Sequence, residues 1–96
     1  MGLFFSSPEE KYSKVRHPVM EIELRKLVSR SGGSLTQQDE STIETALLHK
    51  KHEHEDKLSL RDVYLVLHTL KNKQEISIFD EKKVMKEFED FFASHH

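Results

Sequence analysis

The stretch LSLRDVYLVLHTL, residues 58–70, contains the longest run of apolar and aromatic side chains in the chain, VYLVL at residues 63–67. Ser59 precedes Asp62 by three positions, a spacing at which the hydroxyl and the carboxylate each accept a backbone N–H at a helix start. The apolar positions also recur at helical spacing. The pattern therefore predicts a buried helix that begins near Leu60. A buried strand is the alternative, because valine and tyrosine also favour sheets.

The composition indicates one domain of modest size. The chain has 96 residues, with 15 Lys and Arg against 17 Asp and Glu, for a net charge of −2. This length supports a single core, and the near balance of charge does not favour a nucleic-acid partner. The sequence has no cysteine, which excludes disulfides, thiol catalysis and a cysteine zinc site. We expect residues 1–96 to form a single helical domain, with residues 1–7 as an apolar N-terminal tail.

A short signature occurs three times in the second part of the chain: an aliphatic residue, a capping hydroxyl, and an aspartate at the third helical position. The copies are LTQQD at residues 35–39, LSLRD at residues 58–62 and ISIFD at residues 76–80. Each copy predicts the start of a helix. Pro8 and Pro18 suit the first turn of two more helices. The predicted fold class is therefore all-α, a compact bundle of about five short helices.

The predicted helices carry apolar residues three and four positions apart, as expected for one buried face on each helix. A first helix over residues 8–16 is interrupted at His17-Pro18, because proline disfavours helical geometry in the residue before it. A second helix from Pro18 includes Met20 on its apolar face and stops at residues 31–33, Ser-Gly-Gly. The residues expected to share one core are Leu24, Leu27, Ile43, Leu47, Val63, Val66, Leu67, Leu70, Val84 and Phe88.

Large apolar side chains are concentrated near the two ends of the chain. This surplus predicts an apolar helical surface that binds another protein or a second copy of the chain, by helix-in-groove recognition. A methionine in the set adds an adaptable contact. Closure of the core by the same side chains is the alternative. The predicted partner-binding residues are Phe4, Phe5, Met85, Phe88, Phe91 and Phe92.

The segment HKKHEHEDK, residues 49–57, is rich in candidate metal ligands. Imidazole and carboxylate groups can bind a transition metal, but lysines separate them here and no apolar residue fixes their positions. We interpret the segment as a solvated charged linker or loop, and we expect neither a native metal site nor a cofactor. If a metal binds here, the candidate ligands are His49, His52, His54, Glu53 and Glu55.

Residues 35–70 combine a capped helix, a twelve-residue loop from Lys51 to Asp62 and an apolar exit helix. This arrangement resembles a degenerate EF-hand. Leu58 takes the aliphatic position of the loop, which in that family pairs with a neighbouring hand. The resemblance implies paired helix-loop-helix units that bind a protein helix without calcium. Calcium fits the loop badly, because Lys51 stands at the first ligand position, Asp56 at the glycine position and Asp62 at the final glutamate position.

The function expected from the sequence is a non-catalytic interaction or regulatory module. No phosphate-binding loop, nucleophile elbow or HExxH zinc motif occurs. The alternatives are a metal-binding protein, EF-hand-like or His-rich, and a helix-turn-helix regulator. The apolar character of residues 60–70, with Arg61 as the one strong cation, argues against a DNA-reading helix. We expect a cytoplasmic protein. Membrane association would require myristoylation of Gly2, whose MGLFFS context fits the acceptor pattern.

Overall fold

The computed structural model describes residues 11–30 and 36–94. In these two ranges the chain forms four helices and one pair of two-residue strands. Their order is β1 (His17–Pro18), α1 (Glu21–Arg30), α2 (Gln37–Glu53), β2 (Lys57–Leu58), α3 (Leu60–Asn72) and α4 (Ile78–Ser94). The predicted all-α class is thus confirmed. The helix predicted over residues 58–70 is also present, as α3, and the alternative of a buried strand is excluded.

The three downstream helices begin where the repeated signature predicts. In each, the capping hydroxyl accepts the backbone N–H three residues later, at 3.0 to 3.1 Å. In α3 and α4 the aspartate carboxylate also accepts the N–H of the capping residue, at 3.0 and 3.1 Å. These bonds satisfy N–H groups that have no partner within the helix. The capping pairs are Thr36 with Asp39, Ser59 with Asp62, and Ser77 with Asp80.

The number of helices differs from the prediction of about five. Residues 8–10 of the predicted first helix lie outside the described part of the chain, and residues 11–16 form no α-helix. Instead, the carbonyl of Ser13 accepts the N–H of Arg61 at 3.1 Å, so this segment lies against the start of α3. Contacts with a distant part of the chain therefore prevail over the local helical signal.

The second predicted helix starts later than expected. Pro18 belongs to β1 and pairs antiparallel with Lys57, while His17 pairs with Leu58. Met20 precedes α1, and its side chain is 64% exposed, so its predicted place on the apolar face was wrong. Its N–H donates to the Glu23 carboxylate at 3.1 Å, which satisfies one N–H at the start of α1.

One core lies among the four helices. The helix α3 packs against α2 and α4, and α1 packs against the same two helices. All but one of the predicted core residues are buried; the exception is Val66, which is partly buried. None of the described helices is long and apolar enough to cross a membrane. The buried apolar residues are Val19, Leu24, Leu27, Val28, Ile43, Leu47, Leu58, Val63, Tyr64, Leu67, Leu70, Ile76, Val84, Met85, Phe88 and Phe92.

Candidate functional site

At one end of the connection between α2 and α3, a buried lysine pairs with an aspartate. The Lys51 side chain is only 7% exposed, and its ammonium group lies 3.3 Å from Oδ1 of Asp56. The Lys51 carbonyl accepts the N–H of Asp56 at 3.0 Å. Glu55 and Asp56 have φ angles of 57° and 64°, a left-handed turn that residues other than glycine adopt rarely. The hydrogen bond from Lys51 is the main cause that lowers the pKa of the Asp56 carboxyl.

At the other end of the connection, an arginine from the segment before β1 pairs with an aspartate of α3. Arg16 donates from Nε to Oδ2 of Asp62 at 2.8 Å and from Nη2 to Oδ1 at 3.3 Å. Asp62 also accepts the N–H of its capping partner, Ser59. Burial raises the pKa of the Asp62 carboxyl, but the hydrogen bonds from Arg16 and Ser59 outweigh burial and lower it. Both ends of the connection are therefore neutralised by cations of the chain itself.

The histidine-rich segment is largely exposed, as predicted, but only its residues 54–57 lie outside α2, in the connection where the sequence indicates a linker or loop. Residues 49–53 form the last part of α2, because the helix continues to Glu53. His49 Nε2 lies 3.2 Å from the Glu53 carboxylate, and His52 Nδ1 lies 3.1 Å from the Asp56 carboxylate. These are pairs of helical or loop neighbours. In residues 11–30 and 36–94, no group of three or more His, Asp or Glu side chains is arranged to hold a metal ion.

The two remaining candidate ligands also lie apart from any such group. His54 Nε2 is 3.4 Å from Nη2 of Arg16, so its nearest polar partner is a cation. Glu55 is exposed on the turn. A cavity of about 370 Å³ has both among its lining residues, together with Arg16, Glu53 and Lys57. The cations Arg16 and Lys57 balance the carboxylates of Glu53 and Glu55 in this lining, so the cavity has no net negative charge to attract a metal ion.

Three of the four C-terminal candidate residues are buried in the core. Met85, Phe88 and Phe92 are 4%, 0% and 5% exposed. Phe91 is partly buried, and its ring packs edge-on at 5.5 Å from that of Phe92. Their burial supports the alternative of core closure for these three residues, and the partner-binding role of Phe91 stays a prediction. The other two predicted residues, Phe4 and Phe5, lie outside the described residues.

A groove runs between α2 and α3. It consists of two adjoining cavities of about 650 and 260 Å³, which share Ala46 and Leu70 as lining residues. The larger cavity is lined by Gln38, Ser41, Thr42, Thr45, Ala46, His49, Leu70 and Glu75. The smaller one is lined by Ala46, Lys50, Leu65, Val66, Thr69, Leu70 and Lys73. We call these two cavities together the α2–α3 groove.

The groove exists because α2 and α3 present residues of different size on this side. The α2 face carries Ser41, Thr42 and Thr45, whose short side chains leave space above the aliphatic residues of α3. Leu65 and Val66 on α3 lie in the smaller cavity with Ala46 and Lys50 of α2, and they are only partly buried. The sequence reasoning missed the groove because it assigned Val66 to the core. The available signal was the lack of large apolar residues on this face of α2.

A second polar cluster joins α3 to α4 and to the segment before β1. The Tyr12 and Tyr64 rings stack at 5.1 Å, and the Tyr64 and His68 rings stack at the same distance. Tyr64 Oη and the buried Glu81 carboxylate each lie 3.3 Å from His68 Nδ1. Burial raises the pKa of the Tyr12 phenol, and the carboxylates of Glu89 and Glu81 and the Tyr64 phenol raise it further. The cluster fixes neighbouring elements to one another.

No protein-family model, curated protein or solved structure matches the chain. Its function is therefore inferred from the groove, the α2–α3 connection and the chemistry of their residues.

Proposed function

We propose that the chain is a small non-catalytic module that binds another protein through the α2–α3 groove. The observation that carries the proposal is the position of this groove. Every described residue that lines it belongs to α2, to α3 or to positions 73 and 75 just after α3, so neither α1 nor α4 fills it. Partly buried aliphatic side chains in a groove between two helices are the usual receptor for an apolar partner helix.

The state of the polar groups supports a binding role over a catalytic one. Asp62 is engaged by Arg16 and by the Ser59 amide, so its carboxylate is committed to structure. Arg61, the strong cation of α3, donates to the Tyr12 carbonyl at 3.3 Å. This bond turns Arg61 toward the protein itself, which does not favour α3 as a helix that reads DNA.

We further propose that Gln37 to Asn72 is a degenerate EF-hand-like unit that keeps its shape without a metal ion. Asp56 has a φ of 64° at the loop position where the family has glycine, which supports the proposed register. Lys51 at the first position and Arg16 beside the twelfth supply positive charge from the chain. The strand β2 pairs with β1, so the partner of this loop in the described residues is a segment before α1.

The test of the binding function compares three variants with the unmodified protein. Val66→Glu places a carboxylate on the floor of the groove, and Thr69→Glu places one at an exposed position of the same groove. Ile22→Glu is the matched control, because Ile22 is 59% exposed on α1 and lies outside the groove. Circular dichroism establishes that each variant is folded. Thr69→Glu keeps the test informative if Val66→Glu does not fold.

Immobilised proteins are incubated with an extract of the source cells, and retained proteins are quantified by mass spectrometry. We expect at least one protein to be retained by the unmodified chain and by Ile22→Glu and to be lost with Thr69→Glu. That protein is then purified, and its dissociation constant is measured with each variant. Retention of the same proteins by all four chains would overturn the proposed function.

A further inference from the structure

We infer that the partner of the α2–α3 groove is an acidic amphipathic helix. This inference rests on the proposed function, because it names the partner of the same groove. The apolar side chains of that helix contact Val66 and Leu70, and its carboxylates lie beside Lys50 and Lys73. The partner's chemistry follows from the charge, the composition and the dimensions of the groove.

The smaller cavity has an apolar floor and a basic rim. Its floor is formed by aliphatic side chains, and its two charged lining residues are Lys50 and Lys73. Among the described residues, no carboxylate lines this cavity. An apolar floor selects an apolar side chain, and two ammonium groups at its edge select carboxylates on the flanks of that side chain.

Both lysines are available to a partner. The Lys50 ammonium has the Glu53 carboxylate as its ion-pair partner, at the long distance of 3.8 Å. Lys73 forms no ion pair within residues 11–30 and 36–94. Its backbone N–H bonds the carbonyls of Lys71 and Thr69 at the end of α3, so its position at the rim is fixed by the helix end. A partner carboxylate therefore displaces at most one weak internal contact.

The dimensions of the groove fit a short helix. Its lining residues on α2 run from Gln38 to Lys50, a distance of about 18 Å at 1.5 Å per residue. A partner helix of about three turns covers that length, with apolar residues at positions i, i+3 or i+4, and i+7. The strand pair of β1 and β2 contributes no residue to either cavity. An extended peptide therefore has no strand edge to pair with inside the groove.

Glu75 limits where in the groove the acidic residues of the partner can lie. Glu75 lines the larger cavity, next to the hydroxyl and amide side chains of α2. A carboxylate placed there would face a like charge. The acidic residues of the partner therefore belong in the smaller cavity, beside Lys50 and Lys73, and neutral polar residues belong in the larger cavity, beside Glu75.

The probe for this inference is a phage-displayed library of helix-forming 16-residue peptides. Leucine is fixed at the apolar positions, and the flanking positions vary among Glu, Lys, Gln and Ser. The library is selected on the unmodified protein and on the double variant Lys50→Glu/Lys73→Glu. The matched control is Lys26→Glu/Lys82→Glu, which changes the net charge equally at exposed lysines outside the groove.

We expect the unmodified protein and the control to enrich peptides with Glu on the flanks. The best such peptide should bind Lys50→Glu/Lys73→Glu at least tenfold more weakly, and that variant should enrich peptides with Lys instead. The neutral variant Lys50→Gln/Lys73→Gln should show an intermediate loss. Binding should also weaken as salt is added, because the lysines are close to solvent.

Three results would overturn the inference. One is a set of groove-dependent peptides, defined by loss of binding to the neutral, bulky variant Thr69→Trp, with no excess of Glu over Lys. Another is equal loss of binding in the groove variant and in the control. A third is the absence of any groove-dependent helical peptide. None of these results decides the proposed function, which stands or fails with the retention experiment on the Thr69→Glu and Ile22→Glu variants.

Discussion

The two ends of α3 differ in the groups that contact them. At the N-terminal end, Ser59 and Asp62 cap the helix, and Arg16 neutralises the carboxylate from a segment 46 residues away in sequence. In the second half of the helix, Val66 and Leu70 line a groove that no other described helix except α2 borders. The polar groups at one end of the helix are paired within the chain, and the other end leaves partly exposed aliphatic side chains in the groove where we propose that a partner binds.

Under the proposed function, the residues that stabilise the fold and the residues that bind a partner lie at different ends of α3. Polar bonds at the start of α3 join the segment before β1, the α2–α3 connection and the helix itself. Changes there should affect the free energy of unfolding. The groove side contributes less to the core, because Leu65 and Val66 are only partly buried there, although Leu70 is buried. Changes there should affect partner binding more than unfolding.

The largest effect is expected from a change at the centre of α3. Leu67 is 0% exposed, so Leu67→Ala should lower the free energy of unfolding by about 2–5 kcal/mol through lost burial and a new cavity. The adjacent Val66→Ala is the matched control on the groove side and should cost about 1 kcal/mol. Urea unfolding measures both values. Equal losses would contradict the distinction between the core side and the groove side of α3.

The second prediction tests the capped N-terminal end of α3. Asp62→Ala removes the acceptor of the Ser59 amide and the partner of Arg16, and it should cost about 1–3 kcal/mol. Asp90→Ala is the control, because Asp90 forms only an exposed pair with Lys86 at 3.8 Å. That change should cost less than about 1 kcal/mol. If both variants unfold at the same urea concentration, the capping network does not stabilise the fold.

The part of this structure that the sequence predicts is the part set by short-range bonds. A capping hydroxyl and an aspartate three residues later form their bonds whatever the rest of the chain does, so the starts of α2, α3 and α4 follow from the local pattern. The apolar periodicity of α3 and α4 likewise identifies most core positions, including Val63 and Val84.

Long-range contacts account for what the sequence did not predict. The bond from Arg16 to Asp62 spans 46 positions, and no local pattern announces it. The same segment would be helical by its own preference but lies against α3 instead. The count of phenylalanines near the C-terminus indicates a large apolar payload but not the side on which it packs. Phe88 and Phe92 fill the core because α4 packs against both α1 and α3.

Acidic pH should weaken the bonds that Arg16 and Ser59 form with the Asp62 carboxylate, and so lower the free energy of unfolding. Burial raises the pKa of Asp62, but the bonds from Arg16 and Ser59 leave it below its usual value. A carboxyl with a lower pKa in the folded state stabilises the fold above its unfolded pKa of about 3.9. That stabilisation is lost as the pH falls through the lower, folded-state pKa.

Arg16→Gln isolates this contribution. At neutral pH the variant should be less stable than the unmodified protein, because Asp62 has lost its charged partner. The difference should shrink below pH 4, as Asp62 becomes protonated in the unmodified protein as well. Urea unfolding at a series of pH values measures the difference. A stability difference that is constant down to pH 2 would show that the Arg16 bond does not depend on the Asp62 charge.

The smallest expected effect is that of metal ions, and it tests the connection between α2 and α3 directly. The Lys51 ammonium lies at the first position of the loop and bonds Asp56, while Asp62 at the last position is engaged by Arg16. A divalent cation would have to displace both internal cations before it reached either carboxylate. Thermal melts with chelator, calcium and zinc should therefore superimpose, and amide chemical shifts of residues 51–62 should not move with calcium. A rise of several degrees in the midpoint with either ion would contradict the proposal of a metal-free helix-loop-helix unit. Such a rise would not decide the proposed binding role of the groove, because none of the described residues that line the groove belongs to the loop, residues 51–62. The groove variants test that role.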